Sequence, residues 1–348
     1  MTIHEMTNSV PEPIQDPVLP IVDPHHHLWP DSPTSVSIAR PGQQGVPGER
    51  YADATPYSVQ DLRADTRSGH NVVATIFVEC SSAYYTEGPQ HLRPVGETDW
   101  VASQSVSDGL LSGIVGYANL MWEPSELAEA LDAHIEAGNG TFKGVRHTVA
   151  WDANPGVFAS TRRPPSGLLL ESAFGRGASE LARRGLVYET WTYFHQLPEL
   201  CDFARSQPNL VVVLNHLGGP AATGPYSQRR NEVLEEWRAC ITALARVPNV
   251  VMKLGAIGMP AFTPVEFIES APMTSARIAE YWGLEIRYCI DTLGPERCMF
   301  ESNFPVDRRL CDYVTLWNSF KLIAAPYSSA ERESLFAGTA RRTYGIGR

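Results

Sequence analysis

Eight short apolar segments recur along this chain, and they constrain its fold more than any other feature of the sequence. Each is nearly continuous in hydrophobic residues and rich in β-branched side chains, which is typical of strands buried on both faces. They are the segments 19–23, 72–79, 113–120, 142–146, 185–191, 210–216, 249–255 and 297–303. Stretches with helical periodicity lie between them. Strands that alternate with helices favour a parallel sheet covered by helices.

The helical stretches carry recognisable ends. In 124–138, leucine and isoleucine repeat at four-residue spacing, with Ser125 placed to cap the start and Gly138 to end the helix. In 231–248, Asn231 stands at the cap position. Eight strand–helix units in 348 residues predict an α/β fold, a (β/α)8 TIM barrel. An open doubly wound sheet is the competing fold, but no glycine-rich phosphate-binding motif follows an early strand to support it.

The barrel is predicted to form a single domain over residues 20–348. Residues 1–19 are polar and rich in proline, and we predict that they form a flexible leader. Two long loops rich in glycine and proline, 30–58 and 81–99, follow the first and second strands. Because the loops after the strands of a barrel lie on its catalytic face, we expect both loops to border the site.

Composition excludes several classes of partner. The net charge is −11 and no basic stripe is present, which argues against nucleic acid. The sequence contains neither a signal-peptide pattern nor an apolar run of about 18 residues. Six cysteines without a C-x-x-C spacing indicate reduced thiols. We therefore predict a cytoplasmic protein with a small-molecule substrate and no membrane partner.

Three consecutive histidines end the first predicted strand, in the sequence VDPHHHLWP at residues 22–30. Side chains alternate along a strand, so His25 and His27 point to one side and His26 to the other. Two imidazoles at this spacing, at the mouth of a barrel, form a workable metal site. Packing or capping histidines are the alternative.

Polar residues at other strand ends favour a site. His195 follows the fifth predicted strand, His216 ends the sixth and Asn303 ends the eighth. The carboxyl ends of all barrel strands meet at one face, so these side chains are expected to converge with those of His25 and His27.

Taken together, the motifs VDPHHHLWP, HQL, NHLGGP and CMFESNFP resemble the amidohydrolase superfamily. The closest branch contains sugar lactonases, pyrone-dicarboxylate lactonase and related ring-opening hydrolases. The resemblance runs from about residue 20 to the C-terminus. It implies that His25, His27 and His195 hold a divalent ion, Zn²⁺ first and Mn²⁺ second. It also implies that His216 polarises the substrate or moves a proton, and it leaves open a reaction without metal. The sequence does not fix the oligomeric state, and a homodimer is expected only because such enzymes commonly form one.

The eighth strand departs from the family pattern. The G-S-D-W-P motif of the family is here Glu301-Ser302-Asn303-Phe304-Pro305. An asparagine offers one neutral oxygen and cannot act as a base near neutral pH. Both the metal and the general base are therefore in question. Glu301, on the same face and one layer deeper, and Asp307, just past the strand end, are the carboxylates that can replace the missing aspartate. They join His216 and Asn303 as candidate catalytic residues.

Several residues are candidates for binding the substrate. Arg146, at the end of the fourth strand, matches an arginine of this branch and would fork onto a substrate carboxylate. A salt bridge to Glu79 or Glu189 is its alternative role. His147, beside it, is a further candidate for substrate binding, with a structural role as the alternative.

Aromatic and basic strand residues complete the predicted surroundings of the site. Trp191 and Tyr193 are placed to line the pocket wall, although aromatic residues at barrel mouths often only pack. The strand lysines Lys143 and Lys253 are predicted to form ion pairs with a strand glutamate.

The sequence thus predicts a hydrolase that adds water to a lactone carrying a carboxylate. A non-oxidative decarboxylase and a cyclic amidase on the same barrel are the alternatives. A barrel without activity that only binds a ligand is a further alternative from another class.

Overall fold

Eight parallel strands build the centre of the protein. The computed structural model describes residues 12–29, 56–104, 109–154, 156–157, 162–270 and 272–347. The strands form one sheet in which each pairs with the next along the chain. They are β1 (Pro20–His26), β2 (Asn71–Val78), β3 (Leu111–Gly116), β4 (Phe142–Arg146), β5 (Val187–Thr190), β6 (Val212–Leu214), β7 (Val250–Leu254) and β8 (Cys298–Phe300).

The end of β8 returns to β1 and nearly closes the sheet. The amide of Asn303 donates to the carbonyl of His25 over 2.9 Å, and the amide of His27 donates to that of Phe304 over 2.8 Å. The predicted (β/α)8 barrel is therefore confirmed, and each of the eight predicted segments overlaps a strand.

Helices surround the sheet. Those described are α1 (Val59–Thr66), α2 (Val95–Gln104), α3 (Pro124–Gly138), α4 (Ser172–Arg183), α5 (Leu197–Ser206), α6 (Arg230–Leu244), α7 (Val265–Ile268), α8 (Ser275–Leu293), α9 (Tyr313–Ile323), α10 (Ser329–Glu333) and α11 (Thr339–Tyr344). None of them is long and apolar enough to cross a membrane. All six cysteines are free thiols.

Two predicted helix caps, Ser125 and Asn231, each lie two positions after the N-cap residue of the structure, Glu123 and Arg229. Helix α3 begins at Pro124, one residue before Ser125, and its N-cap residue makes no side-chain cap bond. Proline suits this first position because its missing N–H would have no helical partner there. Helix α6 likewise begins at Arg230, so Asn231 is inside the helix. Gly138 is the last residue of α3, as predicted.

Buried apolar residues form two clusters, one on each side of the sheet. The larger cluster packs between strands and helices. The smaller one lines the barrel interior with Val22, Ala74, Ile76, Val78, Val115, Val187, Val213 and Met299. Ala337, Ala340 and Tyr344 belong to this inner cluster. They come from the C-terminal helix, in which a π-helical turn over Ser334–Gly338 joins α10 to α11. This helix therefore packs against the N-terminal end of the barrel.

The described part of the predicted leader is docked on the barrel. Glu12 accepts a hydrogen bond from the amide of Ser275 over 2.8 Å. Lys321 of α9 donates to the carbonyls of Gln15 and Asp16 over 2.9 and 2.8 Å. Residues 1–11, and most of the loop 30–58, lie outside the described residues. The division of the chain at residue 19 stays a prediction.

Candidate active site

A polar layer of side chains lies inside the barrel above an apolar layer. Side chains two residues apart on a strand share a face. The apolar layer contains Val187, Val213, Val251 and Met299. The residues two positions further along the same strand segments are Glu189, Asn215, Lys253 and Glu301. The barrel interior therefore changes from apolar to charged toward the carboxyl ends of its strands, where the histidines lie.

Three histidine rings meet at this end of the barrel. The ring centroids of His25 and His27 are 5.0 Å apart, and those of His25 and His216 are 4.8 Å apart. The ring of His26 points elsewhere, with Nε2 3.1 Å from the hydroxyl of Thr75. The pairing of β1 with β2 shifts register between Asp23 and His26, which bends the strand end at the histidines.

The carboxylate of Glu301 joins two of these rings. One oxygen, Oε2, lies 2.6 Å from His25 Nδ1, and the other, Oε1, lies 2.7 Å from His216 Nδ1. Glu301 and His25 are fully buried, and His216 is nearly so. Among the described residues, these three form the group of side chains whose donor atoms are close enough to hold a metal ion, all within 4.8 Å of one another. The sequence predicted Glu301 as a replacement carboxylate, and the structure places it in the centre of the cluster.

Backbone conformation at the strand ends makes this arrangement possible. A Cβ atom at Gly255, just after β7, would overlap the side chain and carbonyl of Glu301, so glycine is needed there. His216 and Asn303 have left-handed backbones, with φ angles of 58° and 53°. Such a conformation is uncommon outside glycine and is frequent at functional sites. Asparagine and aspartate both adopt it more readily than other residues, so the backbone conformation does not explain why residue 303 is asparagine rather than aspartate.

Burial keeps the histidines of the first strand neutral. Burial is the main cause that lowers the pKa of His25 well below its usual value, and the nearby positive charge of Lys253 adds to it. Burial, followed by the charge of Arg146, lowers the pKa of His27 in the same way. His27 Nδ1 lies 2.8 Å from the carbonyl oxygen of Val78, to which it donates, so Nε2 is its remaining nitrogen.

Arg146 contacts the cluster and a buried glutamate. Its Nη1 lies 3.3 Å from His25 Nε2, and its Nε donates to Glu79 Oε1 over 3.0 Å. The alternative role of Arg146, a salt bridge to Glu79, is thus present in the structure. Glu189 instead pairs with Lys253 over 2.8 Å, as predicted for a strand lysine. Lys143 donates to the carbonyl of Gly140 over 3.0 Å and forms no ion pair within the described ranges.

A second arginine, which the sequence reasoning missed, binds the same glutamate. Arg162 Nη2 lies 2.5 Å from Glu79 Oε2 and 2.8 Å from the hydroxyl of Tyr84. Its guanidinium also stacks on the ring of Tyr117 at 3.5 Å. Burial raises the pKa of Glu79, but the charges of Arg162 and Arg146 outweigh it and lower the pKa to about 2. No sequence signal marked Arg162, because it lies on a loop far from any strand end.

The structure does not bring His195 to the cluster. His195 lies on a short turn, Phe194–Gln196, after the end of β5 at Thr190. Its Nε2 lies 3.0 Å from Asp152 Oδ2, and its side chain is 29% exposed. The hydroxyl of Tyr226 donates to the same Asp152 oxygen over 2.8 Å. His195 thus lies outside the group formed by His25, His216 and Glu301, and its role as a third metal ligand stays a prediction.

Asp307 lies next to Asn303 rather than among the imidazoles. Asn303 Nδ2 donates to Asp307 Oδ1 over 2.8 Å, and the amide of Gly258 donates to Oδ2 over 2.9 Å. Burial raises the pKa of Asp307 to about 7. Both oxygens of Asp307 are occupied, so Asp307 orients the amide of Asn303. The oxygen of that amide is the atom left for a ligand.

The predicted pocket residues occupy different places. Trp191 lies beside His216, with ring centroids 6.2 Å apart, and Tyr193 packs on Trp191 at 5.5 Å. Phe262, which the sequence reasoning missed, is 6.3 Å from His216. His147 is buried in the outer core, where its Nδ1 accepts the amide of Leu120 over 3.2 Å. Its alternative role, a structural one, matches these contacts better than substrate binding.

Comparisons with known proteins agree with this architecture. The family model described as amidohydrolase matches residues 22–346. An uncharacterized protein, y4mH of Sinorhizobium fredii, is 31% identical over 94% of this chain and 98% of its own length. An L-fucono-1,5-lactonase of Burkholderia multivorans is 27% identical over 72% of this chain and 77% of its own. A crystal structure of a zinc-bound amidohydrolase from Burkholderia multivorans has a TM-score of 0.72 at 23% identity, over 94% of this chain and 99% of the other.

Proposed function

Because the chain belongs to the amidohydrolase family and is a hydrolase, we propose that it opens a lactone carrying a carboxylate by adding water at the His25–His216–Glu301 cluster. The observation that carries the proposal is the buried carboxylate of Glu301, which is hydrogen-bonded to His216 Nδ1 through Oε1 and has Oε2 2.6 Å from His25 Nδ1. The lactonase among its relatives supports the choice of a cyclic ester.

His216 is the proposed general base. A carboxylate only accepts hydrogen bonds, so the proton of His216 is on Nδ1, which faces Glu301 at 2.7 Å. Its Nε2 is then unprotonated and able to take a proton from water. This arrangement, in which a carboxylate orients an imidazole that moves the proton, is the same as in hydrolytic triads. It gives His216 the role of general base, which Asn303 cannot perform, and it gives Glu301 the role of orienting His216.

The reaction needs no further reactant than water. The water oxygen forms a bond to the ester carbonyl carbon while its proton passes to His216 Nε2. The bond between this carbon and the ring oxygen then breaks, and the imidazolium returns the proton to the departing oxygen. The product is an open-chain hydroxy acid. Glu301 stabilises the imidazolium that forms between the two proton transfers.

Arg146 is proposed to bind the substrate carboxylate, and Arg162 supports it. A planar guanidinium can bind a carboxylate with two parallel hydrogen bonds. Arg146 already points one nitrogen at His25, at 3.3 Å, so an anion bound to it would lie beside the imidazoles. Glu79 holds both arginines in place through ion pairs.

The donor set of the cluster also fits a divalent ion. Two imidazoles and one carboxylate are common Zn²⁺ ligands, whereas Mn²⁺ prefers more oxygen donors. In a metal-bound form, His25, His216 and Glu301 would hold the ion in place of their contacts with one another, and His216 would then be a ligand rather than the base; Zn²⁺ is our first candidate, Mn²⁺ the second. When bound, such an ion supplies a Lewis acid for the ester carbonyl. A reaction without metal, a cytoplasmic location and a homodimer stay predictions.

A substrate panel tests the proposal. The purified protein is assayed with lactones that carry a carboxylate, with the corresponding methyl esters, with cyclic amides, and with aromatic acids that release CO₂ on decarboxylation. We expect hydrolysis of the carboxylated lactones. Absence of turnover with every lactone overturns the proposal. Turnover of only the amides, or release of CO₂, would point to the alternative amidase or decarboxylase.

The role of Arg146 is tested in the same assay with Arg146→Lys, which keeps the charge and loses the fork. We expect the preference for the carboxylated lactone over its methyl ester to fall about 10-fold. Arg184→Lys is the matched control, because Arg184 pairs with Asp132 and Glu180 on the outer helices. An unchanged preference in Arg146→Lys contradicts the role.

A further inference from the structure

A charged network lies directly beneath the imidazoles, in the polar layer of the barrel. Lys253 on β7 is fully buried. Its Nζ donates over 2.8 Å to Glu189 Oε2 and over 2.8 Å to the carbonyl of Pro24. It also lies 3.5 Å from His25 Nδ1. This ammonium therefore joins β5, β7 and the residue that precedes His25.

The other end of the network reaches the C-terminal helix. Glu189 Oε2 accepts a second bond, from Asn215 Nδ2 over 3.0 Å, and Asn215 directly precedes His216. Glu189 Oε1 accepts a hydrogen bond from the hydroxyl of Tyr344 in α11. The same network thus bonds to the residue before each of the two imidazoles that contact Glu301.

Such a network is costly unless it has a role beyond stability. Removing two charges from water costs several kcal/mol per ion, and the attraction of the pair seldom returns more than that. One layer below, Val187 and Val251 of the same strands, β5 and β7, pack as an apolar cluster without any charge. The barrel interior therefore accommodates apolar side chains, and the ion pair lies in the next layer, beneath the imidazoles.

We propose that Lys253, Glu189 and Tyr344 are positioning residues for the water-adding site, and this inference rests on the function proposed above. They hold the Pro24–His25 and Asn215–His216 peptides so that both Nδ1 atoms reach Glu301. An ammonium can only donate hydrogen bonds, so Lys253 cannot accept the proton of His25 Nδ1. Glu301 Oε2, a carboxylate oxygen that can accept, lies 2.6 Å from the same nitrogen.

The coupling to Tyr344 gives the C-terminal helix a part in the site. Its hydroxyl is the partner of Glu189 Oε1, and its ring lies 5.6 Å from Lys253 Nζ. Without this hydroxyl, Oε1 of a buried carboxylate loses a partner, and Glu189 is free to turn away from Asn215. The helix that packs against the N-terminal end of the barrel therefore affects the positions of His25 and His216 at the opposite end.

The first test does not depend on any substrate. The double variant K253M/E189Q removes both charges, because removing one alone would leave a buried unpaired charge. The ring nitrogens of His25 and His216 are followed by ¹⁵N NMR, which reports the tautomer. We expect both pairs of signals to shift or split in K253M/E189Q, and to change less in Y344F. The matched control is K143M, since Lys143 lies on β4 and, among the described residues, its Nζ donates to the carbonyl of Gly140; it should leave the signals unchanged.

The second test is kinetic. In K253M/E189Q, we expect kcat on the lactone to fall about 10²-fold with little change in KM, since substrate contacts remain. Circular dichroism and the thermal midpoint establish that each variant is folded. If K253M/E189Q does not fold, the NMR signals and kcat of Y344F test the positioning role instead. The inference is overturned if the folded variants have the same histidine signals and the same kcat as the wild type. An inactive wild-type enzyme would instead contradict the proposed function. The NMR result would still decide whether Lys253, Glu189 and Tyr344 position the histidines.

Discussion

His216 and His195 each follow a barrel strand, and the sequence predicts one shared centre for them, yet the structure gives them different surroundings. His216 comes two residues after the end of β6 and is nearly buried against Glu301. His195 comes five residues after the end of β5, on a turn at the rim, and bonds to Asp152. Both histidines have a carboxylate partner, but only one of the pairs lies inside the barrel.

The difference shows how many residues past its end a strand still sets the direction of a side chain. The direction of a side chain at a strand end is set by the strand itself. A few residues later, the path of the loop and its packing decide where the side chain lies. A histidine that follows a strand by several residues is therefore weaker evidence for a shared centre than one at the strand end. Four replacements test this contrast, from the largest expected effect to the smallest.

Replacing the inner histidine should have the largest effect. His216→Asn removes the proposed base, and we expect kcat on the lactone to fall about 10³-fold. The control is His91→Asn, because His91 bonds to Glu129 on the surface. If the folded His216→Asn variant keeps more than about a tenth of the wild-type kcat, His216 is not the base.

Replacing the inner carboxylate comes next. Glu301→Gln keeps the size of the side chain, but one of its two ends becomes a donor that cannot accept the proton of an imidazole. We expect kcat to fall about 10²-fold with a smaller change in KM. Glu285→Gln is the control, because Glu285 is also buried but pairs with Arg238 between α6 and α8. Equal activity in the two variants would remove Glu301 from the mechanism.

Placing at position 303 the aspartate of the family pattern should destabilise this site. Asn303→Asp places an acceptor 2.8 Å from Asp307 Oδ1, where an N–H donor now lies. Burial raises the pKa of Asp307 to about 7, from an ordinary value of 3.8. Between these values the native state binds more protons than the unfolded state, so the free energy of unfolding contributed by Asp307 falls as pH rises.

Asn303→Asp should make the free energy of unfolding depend more steeply on pH. At about pH 5, a protonated Asp307 can donate to the carboxylate introduced by Asn303→Asp, whereas at about pH 8 the two carboxylates are both charged and repel each other. We expect Asn303→Asp to cost about 1–3 kcal/mol at the higher pH and less at the lower, measured by urea unfolding. The swapped variant N303D/D307N can form the hydrogen bond in the opposite direction and should regain most of the loss. An equal cost at both pH values would contradict the assignment.

Replacing the rim histidine should have the smallest effect. His195→Asn loses the bond to Asp152 but leaves the inner cluster intact, so we expect kcat to stay within about threefold of wild type. If zinc is present in the purified protein, its content by mass spectrometry should be unchanged in His195→Asn and reduced in Glu301→Gln. A loss of zinc as large as that in Glu301→Gln, together with a loss of activity as large as that in His216→Asn, would instead restore His195 as a ligand.

The sequence by itself determined the barrel and most of the cluster. The period of the apolar segments predicts buried parallel strands, and the carboxyl ends of such strands must meet at one face. Alternation along a strand placed His25 and His27 together and put Glu301 on the inner face below Asn303. These inferences succeed because they depend only on local geometry, which each strand imposes on its own residues.

Only the tertiary structure decided which side chains touch. Arg162 reaches Glu79 from a loop, and Tyr344 reaches Glu189 from the last helix. His195 turns to Asp152 because the loop after β5 carries it to the rim. Contacts of this kind join segments that are distant in the chain, and they depend on how loops and helices pack around the barrel. Periodicity within one segment carries no information about that packing, so these partners emerge only once the chain is folded.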